Sequence, residues 1–330
     1  MENVLEVSNL TIGIRNGKNT LKLVEDVSFS IKKGEVLGIV GESGCGKSLT
    51  CRSIPNLLPS GVNILSGSII FNGKLINDKS FNIEKIRGQN ISMIFQEPTK
   101  TLHPLKTIGH QVEEVLKIHT DLNKNERKEK VIELLEAVGI DNASSRIKQY
   151  PFQLSGGLCQ RVVIAIAIAL NPDLIIADEP TTALDVSVQK KILELLKDLN
   201  KKMNCSLIIV SHDIGVVKEI ADRVAIMYCG QIVEESSLKE IFNHPLHPYN
   251  KALMNCIPTI STNKKLVPIK GSVPNPKDYS KLCRFFDRCE ESVEKCKCKN
   301  PSIIKKGETY VRCIKYEEYY SNLKGRGAKF

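Results

Sequence analysis

The run Gly41-Glu42-Ser43-Gly44-Cys45-Gly46-Lys47-Ser48 fits the pattern G-x-x-x-x-G-K-[ST], and the residue types at its fixed positions suit the capture of a polyphosphate. The glycines let the backbone wrap phosphate oxygens, Lys47 neutralises the β and γ oxygens, and Ser48 offers a hydroxyl to Mg²⁺. A second stretch, Leu154-Ser155-Gly156-Gly157-Leu158-Cys159-Gln160, again sets small residues ahead of a helix expected to start near Leu158. Bare N–H groups and the positive helix end favour an anion there, although Ser-Gly-Gly taken alone is an ordinary loop signal. Asp178 and Glu179 close the apolar run Leu174-Ile175-Ile176-Ala177, where carboxylates are costly unless they face a cation or a reacting water. Asp178 is expected to help hold Mg²⁺ through its water shell, and Glu179 to orient or deprotonate the water attacking the γ-phosphate. His212, after an apolar strand at the same sheet edge, could contact the γ-phosphate, and Gln96, at the end of a strand over 91–95, could sense Mg²⁺ or the attacking water.

The elements that must position these residues follow from periodicity. The first thirty residues alternate apolar and polar positions around the turn signal Asn16-Gly17, which predicts antiparallel strands. Residues 35–40 form a short buried strand, and 48–58 a helix stopped by Pro59, so the phosphate loop lies between strand and helix as its chemistry requires. From 107 to 139 the spacing becomes helical and continues to about 170, a helical insert. Compact apolar strands at 174–177 and 207–210 flank a helix over 188–202, the crossover unit of a parallel sheet. The fold class is α/β with a mixed sheet. Past Pro258 the periodicity fades, which divides the chain into 1–257, with the insert at about 100–170, and a cysteine-bearing extension over 258–330.

Composition narrows the partners. The chain has 330 residues and a net charge of +10, yet only 5% are aromatic and there is no Trp, so single-stranded nucleic acid would find few stacking platforms. From Lys281 onward there are thirteen Lys/Arg against seven Asp/Glu, which places six of the ten charges in the tail. No nucleic-acid partner is expected. The longest apolar run, 162–170, is nine residues, too short to cross a bilayer; the chain is expected in the cytosol, with any membrane span supplied by other subunits.

Five of the eleven cysteines lie between Cys283 and Cys313, a density that in a cytosolic protein argues for metal rather than disulfides. The gaps between Cys283, Cys289, Cys296 and Cys313 are five, six and sixteen residues, with Cys298 extra. That spacing matches neither the paired zinc pattern nor the ferredoxin runs, so it names no metal. His244 and His247 each stand at or near a Pro in a helix-start setting, which favours a structural role.

Taken in order and spacing, these motifs resemble the ATPase subunits of ABC transporters over roughly residues 1–257. The resemblance implies a P-loop NTPase of ABC type that hydrolyses ATP with Mg²⁺. Gly41 to Ser48 match its phosphate loop, Gln96 its Q-loop, Leu154 to Gln160 its signature, Asp178 and Glu179 its second acidic motif and catalytic base, Ala183-Leu184-Asp185 its D-loop, and His212 its switch histidine. It also implies that Ser155 and Gly157 grip the γ-phosphate of ATP held by a second, homologous or identical, ATPase subunit. One departure stands out: near Ile14-Arg15, where related chains place an aromatic to stack on adenine, there is none. The tail, with Asn243-His244-Pro245-Leu246-His247-Pro248-Tyr249 and the cysteines, is similar to the C-terminal extension of the dipeptide/oligopeptide/nickel importers. The implied function is to energise an importer of di- or oligopeptides from the cytoplasmic face of the cell membrane, with nickel or a metal chelate as the alternative cargo. Two transmembrane permease subunits and an external solute-binding protein are implied partners. The matching cysteines, Cys283, Cys289, Cys296 and Cys313, imply a [4Fe-4S] cluster, with zinc or free thiols as alternatives. A soluble ABC ATPase of translation or DNA repair is the rival reading, and the single phosphate loop counts against it.

Overall fold

The computed structural model describes residues 2–17, 19–182, 184–256, 268–279 and 282–317. The expected boundary at 257/258 lies outside them. Among the described residues, twelve strands form two sheets. The first is antiparallel: β1 (Asn3–Asn16) lies between β2 (Asn19–Lys32) and β4 (Val62–Phe71), and β5 (Lys74–Leu75) closes the far edge. The second has eight strands in the order β11-β12-β10-β9-β3-β8-β7-β6. Its parallel part comprises β3 (Val36–Val40), β6 (Ile91–Ile94), β7 (Leu174–Asp178), β8 (Ser206–Ser211) and β9 (Arg223–Tyr228). The antiparallel edge adds β10 (Gln231–Ser237), β11 (Ile304–Lys306) and β12 (Thr309–Val311).

Strands β3, β7 and β8 are buried along their whole length, as expected of parallel strands covered on both faces. Alternate residues serve opposite cores. Val36, Val40, Ile175, Ala177, Leu207 and Ile209 face a helical layer, whereas Leu37, Ile39, Leu174, Ile176, Ile208 and Val210 face the antiparallel sheet. The two-residue period of the pleat thus sandwiches the sheet between two apolar layers.

The described residues also form ten α-helices, besides short 3-10 turns: α1 (Lys47–Ser53), α2 (Pro98–Thr101), α3 (Ile108–His119), α4 (Lys124–Ala137), α5 (Ala143–Arg146), α6 (Gly156–Ile168), α7 (Val186–Met203), α8 (Ile214–Lys218), α9 (Leu238–Asn243) and α10 (Pro248–Asn255). The insert is the group α2 to α6, in which α3, α4 and α6 pack on one another. Asn123 starts α4 with a capping box completed by Glu126, which satisfies orphan N–H groups on both sides of the cap. One expectation is corrected. The helix after the phosphate loop ends at Ser53 and not near Leu58, because Pro55 has no N–H to give to the carbonyl of Cys51; Ile54 donates to that carbonyl instead, at 3.3 Å. No helix among the described residues is long and apolar enough to cross a membrane.

Residues 268–279 and 282–317 are mostly irregular, yet β12 pairs with β10 and so extends the main sheet.

Candidate active site

Four segments meet at the C-terminal ends of β3, β6, β7 and β8. Gly41 leaves β3 so close to β9 that a Cβ would lie 2.0 Å from the carbonyl oxygen of Met227, so only glycine lets the loop pass. Gly46 then takes a φ of 101° and turns the chain into α1, which presents Lys47 and Ser48. Lys47 is buried, and its ammonium donates to the carbonyl oxygens of Gly41 at 2.7 Å and Glu42 at 3.1 Å. Cys45 is also buried, and burial pushes its thiol up; it contributes backbone to the loop. Ser43 and Gly44 are exposed at the rim.

The Ser48 hydroxyl donates to Asp178 Oδ1 at 2.7 Å, and the other oxygen of the fully buried Asp178 faces the Arg52 guanidinium at 3.4 Å. Two adjacent oxygen donors, one of them anionic, suit a hard, strongly hydrated cation such as Mg²⁺.

Glu179 follows immediately and holds a φ of 49°, a left-handed backbone that is strained for a residue with a Cβ. Its N–H donates to the Val210 carbonyl at 3.0 Å, which ties the strained residue to β8. Its Oε2 accepts from Gln96 Nε2 at 2.9 Å and from Thr182 Oγ1 at 2.9 Å, and lies 3.2 Å from His212 Nδ1. Gln96, Thr182 and His212 therefore converge on one oxygen of Glu179. A carboxylate held in this way can serve as an oriented general base.

Ser155 and Gly157 sit elsewhere. Ser155 caps α6, accepting from the Leu158 N–H at 3.3 Å, and is exposed together with Gly156. A Cβ on Gly157 would meet Val188 at 2.6 Å, so the signature loop is pressed against the first turn of α7. Asp185 caps that turn, accepting from the Val188 N–H at 3.0 Å and the Ser187 hydroxyl at 2.7 Å. The Ser187 hydroxyl and the Val188 amide hold its carboxyl below the usual range. Signature and D-loop form one contact, while Ala183 lies outside the described residues. Among the described residues no hydrogen bond joins Ser155 or Gly157 to the phosphate loop of the same chain. Near the expected adenine position, Ile14 is half-buried and Arg15 exposed on β1.

Cys283, Cys289, Cys296 and Cys313 lie within electrostatic reach of one another. Burial pushes Cys283 up to about 12 and Cys313 up to about 11. Even so, no group of three or more His, Cys, Asp or Glu among the described residues could hold a metal ion. Cys298 is exposed. His247 caps α10, its Nδ1 accepting from the Tyr249 N–H at 3.0 Å, and His244 is exposed beside Glu240.

Sequence reasoning missed four residues. Arg52 stands four residues after Ser48 and so shares its helix face, a signal that was present. Thr182 belongs to the run Pro180-Thr181-Thr182, whose hydroxyls are unremarkable until Glu179 is placed. Tyr249 and Arg288 both reach Glu42, and no local pattern reveals a contact across that distance.

A phosphate loop, an oxygen site for a hard cation and a fixed strand-end base define a nucleoside triphosphatase. Residues 24–182 match the family model described as ABC transporter, and residues 233–296 match the one described as oligopeptide/dipeptide transporter, C-terminal region. The chain is 48% identical to the oligopeptide transport ATP-binding protein AppD of Bacillus subtilis, over 96% of this chain and 98% of that one. It is 43% identical to the dipeptide transport ATP-binding protein DppD of Haemophilus influenzae, over 94% of each. Among solved structures it is similar to the ATP-binding cassette MJ0796 in a dimeric post-hydrolysis state bound to ADP and Pi, with 32% identity, a TM-score of 0.63, and coverage of 71% of this chain and 98% of that one. The chain belongs to the ABC transporter ATP-binding proteins, in the oligopeptide/dipeptide group. It is an ABC-type ATPase.

Proposed function

We propose that the chain hydrolyses ATP to drive the import of di- or oligopeptides through a membrane transporter. The observation that carries the hydrolytic half is the convergence of Gln96, Thr182 and His212 on Glu179 Oε2 beside the Ser48–Asp178 pair. Ser48 and Asp178 would hold Mg²⁺, which would neutralise phosphate charge when bound; Lys47 and the loop amides stabilise charge on the transferred phosphoryl group, while Glu179 directs the water. The peptide half draws on the printed names of relatives matched over almost their whole length, which speak of oligopeptides and dipeptides. Nickel is not favoured.

The exposed Ser155–Gly156 edge supports a dimer in which each signature completes the partner's ATP site. The isolated chain is then a poor ATPase. Two transmembrane subunits, an external solute-binding protein and a place at the cytoplasmic face of the membrane complete the proposal. In the tail, the four matching cysteines lie within electrostatic reach of one another, which supports a [4Fe-4S] cluster, with zinc as the alternative. Cys283, Cys289, Cys296 and Cys313 would hold such a cluster, and anaerobically purified protein would be brown and lose iron in the C289S variant; colourless protein with stoichiometric zinc would sink that assignment. The transport reading is tested by reconstituting the whole transporter in vesicles and measuring ATP turnover. Stimulation by peptide-loaded receptor is expected, and stimulation by nickel alone would overturn it.

A further inference from the structure

Glu42 places a carboxylate inside a loop that must admit a polyanion, and the far end of the chain answers it. Arg288, from the C-terminal extension, binds both carboxylate oxygens, Nη1 to Oε2 at 2.7 Å and Nη2 to Oε1 at 3.0 Å. Its side chain is 6% exposed against 29% for Glu42, so the pair is shielded enough from water to matter. The guanidinium is held from other sides as well. Its carbon lies 5.7 Å from the Tyr228 ring centroid, and its Nε donates to the Lys270 carbonyl at 2.9 Å.

The Glu42 backbone is pinned by the same assembly. Its N–H donates to the Tyr249 hydroxyl at 3.0 Å. Tyr249 packs against Tyr228 and Phe285, with ring centroids 4.6 Å and 5.4 Å away, and Phe285 belongs to the extension. Glu42 is therefore fixed at both backbone and side chain by elements that lie after the last hydrolytic motif. Its carbonyl oxygen is one of the two that hold Lys47.

We propose that Arg288 is a positioning residue for ATP, which neutralises Glu42 and fixes the phosphate loop so that the C-terminal extension sets the affinity of the nucleotide site. The proposal rests on ATP occupying that loop. Without Arg288 the freed carboxylate repels the phosphates, and the penalty grows with ligand charge. Losing both charges removes the repulsion.

Titration of the full-length chain with Mg²⁺-free ATP and ADP, followed by calorimetry, tests this in wild type, R288Q, E42Q and the double variant. R288Q should weaken ATP about five- to tenfold, and ADP by less, from one unpaired charge near the phosphates at an effective dielectric of about 20. The double variant should return to within about twofold of wild type. Equal ATP affinity in wild type and R288Q overturns the proposal, and so does a double variant as weak as R288Q, which would make the arginine mere packing. Should R288Q fail to fold, E42Q alone decides: ATP bound more tightly than by wild type supports the proposal, and equal or weaker binding contradicts it. A wild type that binds no ATP would sink the nucleotide reading itself, an outcome distinct from a silent R288Q.

Discussion

The hydrolytic edge and the C-terminal extension both gather reactive side chains, but they hold them by different means. At the hydrolytic edge Lys47, Ser48, Asp178, Glu179 and His212 stand on, or one step beyond, a strand or helix of the buried sheet layers, and Gln96 and Thr182 follow a strand of that sheet within four residues. Residues 268–279 and 282–317 have little regular structure, and buried arginines tie them down. Arg284 reaches the Cys229 carbonyl and Glu25, Arg288 reaches Glu42, and Arg312 reaches Asp26 and the carbonyls of Ile232 and Pro301. Their side chains are 5%, 6% and 4% exposed. Backbone positioning gives precision over tenths of an ångström, as catalysis needs. Arginine positioning gives long reach and couples distant segments, at the cost of burying charges that must stay paired.

A glycine pair separates the two most sharply. Gly41→Ala forces a Cβ to within 2.0 Å of a backbone carbonyl and should cost at least about 3 kcal/mol, at or beyond the upper end of usual overpacking penalties. Gly307, in the extension, has a φ of 63° and nothing within 4 Å of an added Cβ; Gly307→Ala should cost only about 1 kcal/mol of backbone strain. Thermal melts of both variants check this, and equal shifts would erase the contrast.

The second test uses pH. His247 is buried at the join between β10, α10 and the extension, where burial lowers its pKa from 6.5 to about 3. A group held neutral in the fold but protonated when unfolded gives stability that is complete above pH 6.5 and is lost as pH falls towards 3. By pH 5 the loss reaches up to about 2 kcal/mol. His247→Asn, which keeps a capping side chain, should flatten that part of the profile; an unchanged slope would place the acid sensitivity elsewhere.

The smallest effect is expected at Thr182. Removing one of the two hydrogen-bond donors to the Glu179 carboxylate should lower kcat about three- to tenfold, the worth of a single oriented hydrogen bond, with KM for ATP little changed. A kcat at the wild-type level would show that Gln96 and His212 suffice.

The same contrast explains what the sequence revealed. The phosphate loop, Asp178-Glu179 and the signature are contiguous, and their chemistry dictates their spacing, so they are readable before any fold is known. The strands that carry them are equally plain, because burial on both faces demands short unbroken apolar runs such as 174–177. The Glu42–Arg288 pair is different. It joins residues 246 positions apart, and an arginine before a cysteine carries no periodicity that points to a partner. The end of α1 differs from the expected one for a local reason: Pro55 interrupts the helix four residues before Pro59 can. The strained backbone of Glu179 was likewise hidden, since φ is set by how β7 meets β8 and not by residue type.

The most direct test of the central claim is ATP turnover of the reconstituted transporter, with peptide-loaded receptor, in wild type and Glu179→Gln. With the general base removed and its shape retained, kcat should fall at least about a hundredfold while ATP still binds. Turnover unchanged from wild type would contradict the account, because Glu179, held by Gln96, Thr182 and His212, would then not be the residue that directs the water.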